Sequence, residues 1–252
     1  MTQILSSGCC GHMGRVITHC VKQKDNCEIT AGVDLSGEQY DAFPVYQSFR
    51  GVKEHADVII DFSHPNALEN LLEFAVERSL PVVIATTGYN EKHIEKINAA
   101  SKSIPIFFTY NMSIGINLLA ELAQKAAAVL SDDFDIEIIE KHHNQKIDAP
   151  SGTAIMLADA INSSLNNKYH YEYDRHAKRA KRDKNEIGMH SIRGGTIVGE
   201  HEIMFAGRDE IITLSHSARS KEVFATGAVN AALFLKGKDS GIYTMADLVA
   251  SK

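Results

Sequence analysis

The 252-residue sequence predicts an α/β fold, with a doubly wound parallel sheet in the first half and an open sheet in the second. Three observations predict it. Short apolar runs alternate with helical periodicity as far as Phe108. A glycine-rich turn, Gly8-x-x-Gly11-x-x-Gly14, joins the first apolar run to the first helical stretch. From Asp135 onward, polar and apolar residues alternate more strictly, as in strands with one wet face.

Taken in order, Thr2 to Ser7 is a first strand. Met13, Val16, Ile17, Cys20 and Val21, spaced by three and four, mark the helix after the glycine turn. Glu28 to Val33 is a second strand that ends at Asp34. Asp57 to Ile60, Pro81 to Ala85 and Ile104 to Phe108 are nearly unbroken apolar runs, expected of strands covered on both faces. Helices are expected between them, over 66–78 and 91–101. A longer helix should run from Ile114 to about Leu130, with Ser113 as N-cap and Leu118, Leu119, Leu122, Ala126 and Val129 as its apolar face. Asp135 to Glu140 fits a half-buried strand, and a helix follows Thr153 and ends near Leu165. The charged run 174–186 interleaves acids and bases without stacking aromatics, so a solvated loop is expected. His190 to Ile197 and Gly199 to Phe205 read as two strands around a turn. Ile211 to His216 reads as another strand, and Phe224 to Leu235 as the final helix.

The net charge of −6 argues against broad nucleic-acid binding, although a local anion site is not excluded by it. No run of about 18 apolar residues is present, so no membrane-spanning helix is expected. No long apolar segment precedes the first strand, so a secretory signal is not expected either. The four cysteines, Cys9, Cys10, Cys20 and Cys27, have no paired zinc-type spacing and read as free thiols of a cytoplasmic protein.

The glycine turn carries the first chemistry. Gly8 would turn the chain sharply after the strand, Gly11 would let backbone approach a pyrophosphate, and Gly14 would let the helix pack close. Asp34 lies 20 residues after Gly14, the spacing of an acid that grips a ribose hydroxyl pair. Strand, glycine turn, helix, strand and acid together predict a Rossmann-like dinucleotide site. A carboxylate at residue 34 repels a 2′-phosphate, and Leu35-Ser-Gly-Glu38 supplies no arginine, so NADH is favoured over NADPH.

The second chemistry lies in Glu140-Lys-His-His-Asn-Gln-Lys-Ile-Asp-Ala-Pro-Ser-Gly-Thr153. Two imidazoles and the Lys146 cation precede a helix N-terminus, where unpaired N–H groups and the helix dipole favour an anion. Histidine titrates near neutral pH, which suits proton donation beside a bound carboxylate or phosphate. Adjacent side chains in a strand point to opposite faces, so His142 and His143 are poor partners for one metal. Glu200-His201-Glu202 has no further ligand spacing, and no metal is expected.

Glu140 to Ala154 resembles the signature of the dihydrodipicolinate (4-hydroxy-tetrahydrodipicolinate) reductase family. The likeness extends to Gly8-x-x-Gly-His-Met-Gly-Arg15, Asp61-Phe-Ser63, Ala85-Thr-Thr-Gly88, Asn111-Met-Ser-Ile-Gly115, Ile197-Val-Gly-Glu-His201 and Phe224-Ala-x-Gly-Ala228. It implies a dinucleotide-binding domain of residues 1–112 and 222–252. An inserted α+β domain, 113–221, would carry an open mixed sheet that binds substrate and assembles a homotetramer. The implied activity is NAD(P)H-dependent reduction of a cyclic imine dicarboxylate on the diaminopimelate route to lysine. By resemblance, His142 is the general acid and Lys146 assists it. His143, Lys146, Gly152 and Thr153 would hold the substrate carboxylates. Gly8, Cys9, Cys10, Gly11, His12, Met13, Asp34, Ala85, Thr86, Thr87, Tyr110, Asn111 and Met112 would hold the dinucleotide. The family often carries a basic residue after the strand-two acid, where this chain has Leu35. Two alternatives share the first half: another two-domain nicotinamide dehydrogenase, or a non-catalytic NAD(H) sensor. Neither accounts for His142 and Lys146.

Overall fold

The computed structural model describes residues 1–109 and 111–251. The first run of elements is β1 (Thr2–Ser7), α1 (His12–Lys22), β2 (Cys27–Val33), β3 (Val45–Tyr46), β4 (Val58–Asp61), α2 (Leu68–Glu77), β5 (Val82–Ile84), α3 (Glu91–Ala100) and β6 (Pro105–Phe108). There follow α4 (Ile114–Leu130), β7 (Asp135–His142), α5 (Gly152–Ser164), β8 (His170–Glu172), β9 (Glu186–Arg193), β10 (Gly199–Ala206) and β11 (Ile211–Ala218). The chain ends with α6 (Glu222–Leu235), β12 (Gly241–Tyr243) and α7 (Met245–Ala250). Two compact units result: Met1–Ile114 with Lys221–Lys252, and Gly115–Ser220. Among the described residues no helix is long and apolar enough to cross a membrane.

The first unit is a seven-stranded sheet in the order β12-β6-β5-β4-β1-β2-β3. Every pairing in it is parallel. Successive residues of each strand serve opposite faces, which is why the apolar runs are unbroken. Ile4, Val58, Ile60, Val83 and Phe107 pack with Ile17 and Val21 of α1 and with Ala225, Ala228, Val229 and Ala232 of α6. Leu5, Ile59, Val82, Ile84 and Ile106 pack on the other face with Leu71, Leu72 and Ala75 of α2 and Ile97 of α3. Burying each of the isoleucine, leucine, valine and phenylalanine side chains contributes roughly 1.5–3 kcal/mol. Gly227 of α6 is there for close approach, because a Cβ would fall 1.7 Å from the Met112 carbonyl oxygen.

The second unit is a five-stranded sheet in the order β11-β10-β7-β9-β8. β10 is antiparallel to β7 and β11, while β9 is parallel to β7 and β8. One face carries the core of Ile136, Ile138, Ile187, Ile203 and Phe205 under α4 and α5. On the other face β10 and β11 alternate toward half-exposed and exposed positions.

Three sequence expectations are corrected in this unit. β9 and β10 do not pair with each other, because β7 lies between them. Their link bonds to the end of β7 instead of closing a hairpin: Gly194 N–H donates to the His142 carbonyl at 2.9 Å, and Asn144 N–H to that of Gly195 at 3.2 Å. α4 buries Ile116, Leu119, Ala123 and Ala127, whereas Leu118, Leu122 and Val129 are exposed. The polar residues Asn117, Glu121, Gln124 and Lys125 share one face, and burial falls on the stripe opposite them, leaving Leu118, Leu122 and Val129 on the flank of a wide apolar surface. The charged run is only partly solvated. Arg182 reaches β7 through Glu137 and Asp135, each at 3.0 Å, and the Ile136 carbonyl at 2.9 Å, while Arg175 pairs with buried Glu186. The short strands β3, β8 and β12 and helix α7 had no periodicity long enough to read.

Candidate active site

In the first unit, chain geometry makes the ligand surface. Gly8 ends β1 at φ +74°, and a Cβ there would lie 2.4 Å from the Phe62 carbonyl oxygen. A Cβ on Gly14 would lie 2.3 Å from the Gly8 carbonyl oxygen, so only glycine lets α1 start this close to its own turn. The Asp34 carboxylate, at the end of β2, accepts the Cys10 N–H at 3.1 Å and the Ser36 N–H at 3.0 Å. Ser7, Gly8, Gly11, Asp34, Ser63 and His64 are among the residues lining a cavity of about 830 Å³. Its size, its glycine wall and its carboxylate fit the adenosine half of a dinucleotide.

Beneath the cavity, Asp61 fastens three strand ends. This fully buried carboxylate accepts the hydroxyls of Ser7, Ser63 and Thr86, each at 2.6 Å. Burial pushes its pKa up, and the three hydroxyls oppose that shift. Thr86 also accepts the Ser63 N–H at 2.8 Å. Thr86 therefore shapes the loop from below, while Ala85 is half-buried and Thr87 exposed. Cys9 is buried, Cys10 and Met13 are half-buried, and Gly11 and His12 are exposed. Asn111 accepts the Ser113 N–H at 2.8 Å, and Met112 packs in the core. Tyr110 lies outside the described residues.

In the second unit, β7 projects Ile136, Ile138, Glu140 and His142 to its buried side, the alternation turning from apolar to polar at the strand's end. Register then brings the partners. Arg193 of β9 stands opposite His142, and His201 of β10 stands opposite Glu140. Glu140, with no exposure, accepts both Arg193 Nη1 and Nη2 at 2.7 Å, and the Ser151 N–H at 3.1 Å. Its Oε2 lies 2.6 Å from His142 Nδ1. Burial raises the Glu140 pKa, but the hydrogen bonds from Arg193, His142 and Ser191 outweigh it and hold the carboxyl at about 2. Glu140 is thus a fixed anion behind the ring.

His142 Nε2 has no hydrogen-bond partner among the described residues. Gly199 keeps space beside it, since a Cβ there would lie 3.1 Å from Nε2. Burial lowers the His142 pKa, Glu140 raises it, and Lys146 and Arg193 lower it further, with a net shift downward. His201 meets His142 edge-on at a 5.3 Å ring separation, and its Nε2 lies 3.1 Å from Ser151 Oγ. Burial, then the neighbouring His142, push its pKa down to about 4, so His201 is neutral at pH 7.

The turn after β7 closes with Lys146 N–H donating to the His143 carbonyl at 3.1 Å. Lys146 Nζ lies 2.7 Å from Asp148, whose carbonyl accepts Arg193 Nη2 at 2.6 Å. Ser151 caps α5 by accepting the Ala154 N–H at 3.1 Å, which sets Gly152 and Thr153 on its first turn. All of His142, His143, Lys146, Gly152 and Thr153 therefore lie within one short span at the end of β7 and the start of α5. Glu140, Arg193, Ser151, Gly199 and His201 were not predicted as site residues. Glu140 left a local signal by sharing the alternation of Ile136, Ile138 and His142, Ser151 stood at the turn before α5, and Gly199 and His201 stood in the Ile197-Val-Gly-Glu-His201 motif, whereas Arg193 left none.

Residues 2–112 match the dihydrodipicolinate reductase N-terminus family, and residues 115–249 match the dihydrodipicolinate reductase C-terminus family. A 4-hydroxy-tetrahydrodipicolinate reductase of Caldanaerobacter subterraneus subsp. tengcongensis is 54% identical over 249 residues, covering 99% of this chain and 98% of that protein. One from Clostridium tetani is 50% identical, covering 97% and 96%. The dipicolinate-bound dihydrodipicolinate reductase of Paenisporosarcina sp. TG-14 shares the fold, with a TM-score of 0.80 at 24% identity over 97% of each chain. The chain belongs to the dihydrodipicolinate reductase family.

Proposed function

We propose that this protein reduces 4-hydroxy-tetrahydrodipicolinate, through its dehydrated cyclic imine, to tetrahydrodipicolinate, and that His142 Nε2 supplies the proton. The observation that carries this reading is the Glu140–His142 pair at 2.6 Å beside Lys146 and the first turn of α5. A bound reduced nicotinamide dinucleotide would supply the hydride, and Gly8, Gly11 and Asp34 would hold its adenosine end. Glu140 fixes the ring through Nδ1, which turns Nε2 outward as the proton-donating atom. Lys146, His143 and the Gly152 and Thr153 amides would orient the two carboxylates. The arriving negative charge opposes the downward shift of His142 and favours its protonated form. After transfer, solvent restores the proton to Nε2.

NADH is the proposed preferred donor, since Asp34 suits a ribose diol and Leu35 offers no cation. Arg50, from the turn Phe49–Gly51, lines the same cavity and makes that preference one of degree. A homotetramer is proposed through the half-exposed face of the second unit's sheet. The cytoplasm is the proposed location. The test follows absorbance of NADH or NADPH with freshly generated substrate. Turnover with either supports the reading, and no turnover with both rejects it.

A further inference from the structure

We propose that Cys9, Cys10 and Asp34 form a binding site for a thiophilic divalent cation, such as Zn²⁺, that excludes the dinucleotide. Cys9 Sγ and Cys10 Sγ lie 3.9 Å apart. A tetrahedral ion bonded to two thiolates at about 2.3 Å holds them about 3.8 Å apart, so the sulfurs already stand at ligating separation. An Asp34 carboxylate oxygen completes a set whose atoms all lie within 4.8 Å of one another. The loop fixes this third ligand: Asp34 accepts the Cys10 and Ser36 N–H groups and keeps further lone pairs for a cation. Three protein ligands leave a fourth position for water.

The pair suits a metal better than a disulfide. Neighbouring Cα atoms are about 3.8 Å apart, below the usual span of a disulfide. Binding does not require the backbone to move in that way. The cation displaces the thiol protons, and the Cys10 contact to the Glu38 carbonyl at 3.4 Å is a weak one to lose. Half-buried Cys10 is the side of entry, and Cys9 is anchored beneath it. The ligands are not adjacent in sequence: the third comes from the end of β2, 24 residues from Cys10.

Asp34 cannot serve a ribose and a cation together, so the two ligands exclude each other; this part rests on the dinucleotide reading above. The experiment titrates reduced full-length protein with Cd²⁺ alone and follows the thiolate-to-cadmium charge-transfer absorbance. One Cd²⁺ per chain is expected, with the band kept in the Cys20→Ser/Cys27→Ser variant. Cys10→Ser should abolish the band, and Asp34→Asn should weaken binding about tenfold. A band unchanged in both variants, or no band in the parent protein, overturns the site. NADH binding, read by its fluorescence, should weaken at least tenfold at saturating Cd²⁺. Undiminished NADH affinity overturns the exclusion. If NADH does not bind even without Cd²⁺, the dinucleotide reading and the exclusion built on it fall, while the cadmium arm still decides the site.

Discussion

The glycine turn of the first unit and the end of β7 in the second solve the same problem by opposite means. The turn makes room by removing side chains, at Gly8 and Gly14, and presents backbone. The end of β7 fills its space with polar groups, linking a guanidinium to a buried carboxylate, the carboxylate to one imidazole and that imidazole to a second. Removal is cheap in stability and local in sequence. A buried charge network costs desolvation and holds only while every partner is present. The second region should therefore be far more sensitive to single substitutions and to pH than the first.

The largest expected effect is on chemistry. His142→Gln should lower kcat by about 10²–10⁴-fold with little change in KM, measured by initial rates. Near-normal kcat would remove His142 as the acid. Next is the cost of breaking the network. Arg193→Ala strands the buried Glu140 anion and should destabilise the second unit by about 3–5 kcal/mol, measured by urea unfolding. A loss of under about 1 kcal/mol would put the two regions on an equal footing.

Acid should act in the same region. His201 has a folded pKa of about 4 against 6.5 when unfolded, so the unfolded chain takes up the proton first. Its contribution is whole above about pH 6.5 and is lost as pH falls toward 4, on the order of 3 kcal/mol in all. Glu140, held at about 2, adds a further loss as pH falls below about 4.5. The urea midpoint at pH 7 and pH 4.5 measures the first loss, and His201→Gln should flatten it.

Glu140→Gln tests the coupling more finely. Glu140 raises the His142 pKa, so its removal should move the basic limb of kcat/KM to lower pH. An unmoved limb would separate the carboxylate from the acid. The smallest effect belongs to the first unit: Arg50→Ala should cost NADPH several-fold more affinity than NADH, about 1 kcal/mol, read by fluorescence titration. Equal losses would show that Arg50 does not favour the 2′-phosphate.

The same contrast explains what could be read from the sequence. The glycine turn, Asp34 and the buried strands are coded by spacing within about 35 residues, and β1, α1 and β2 formed close to where periodicity put them. His142, Lys146, Gly152 and Thr153 also lie in one short motif. Arg193 and His201 do not, because only strand register across β9 and β10 brings Arg193 to Glu140 and His201 to His142. That register was hidden by the expectation that these two strands flank a turn. Arg182 was hidden in the charged run for a similar reason, since its partners Asp135 and Glu137 sit more than 40 residues earlier. Composition describes the run as solvated, and only the fold shows Arg175 and Arg182 clamped.

Asp61 has a consequence of a different kind. Three strand ends fastened to one carboxylate cannot fluctuate independently, so motion at Ser7, at Ser63 and at Thr86 is shared. A ligand that stills one of these loops stills the others without touching them. Amide exchange across the three segments should then slow together when the cavity fills, as one floor settling rather than three boards.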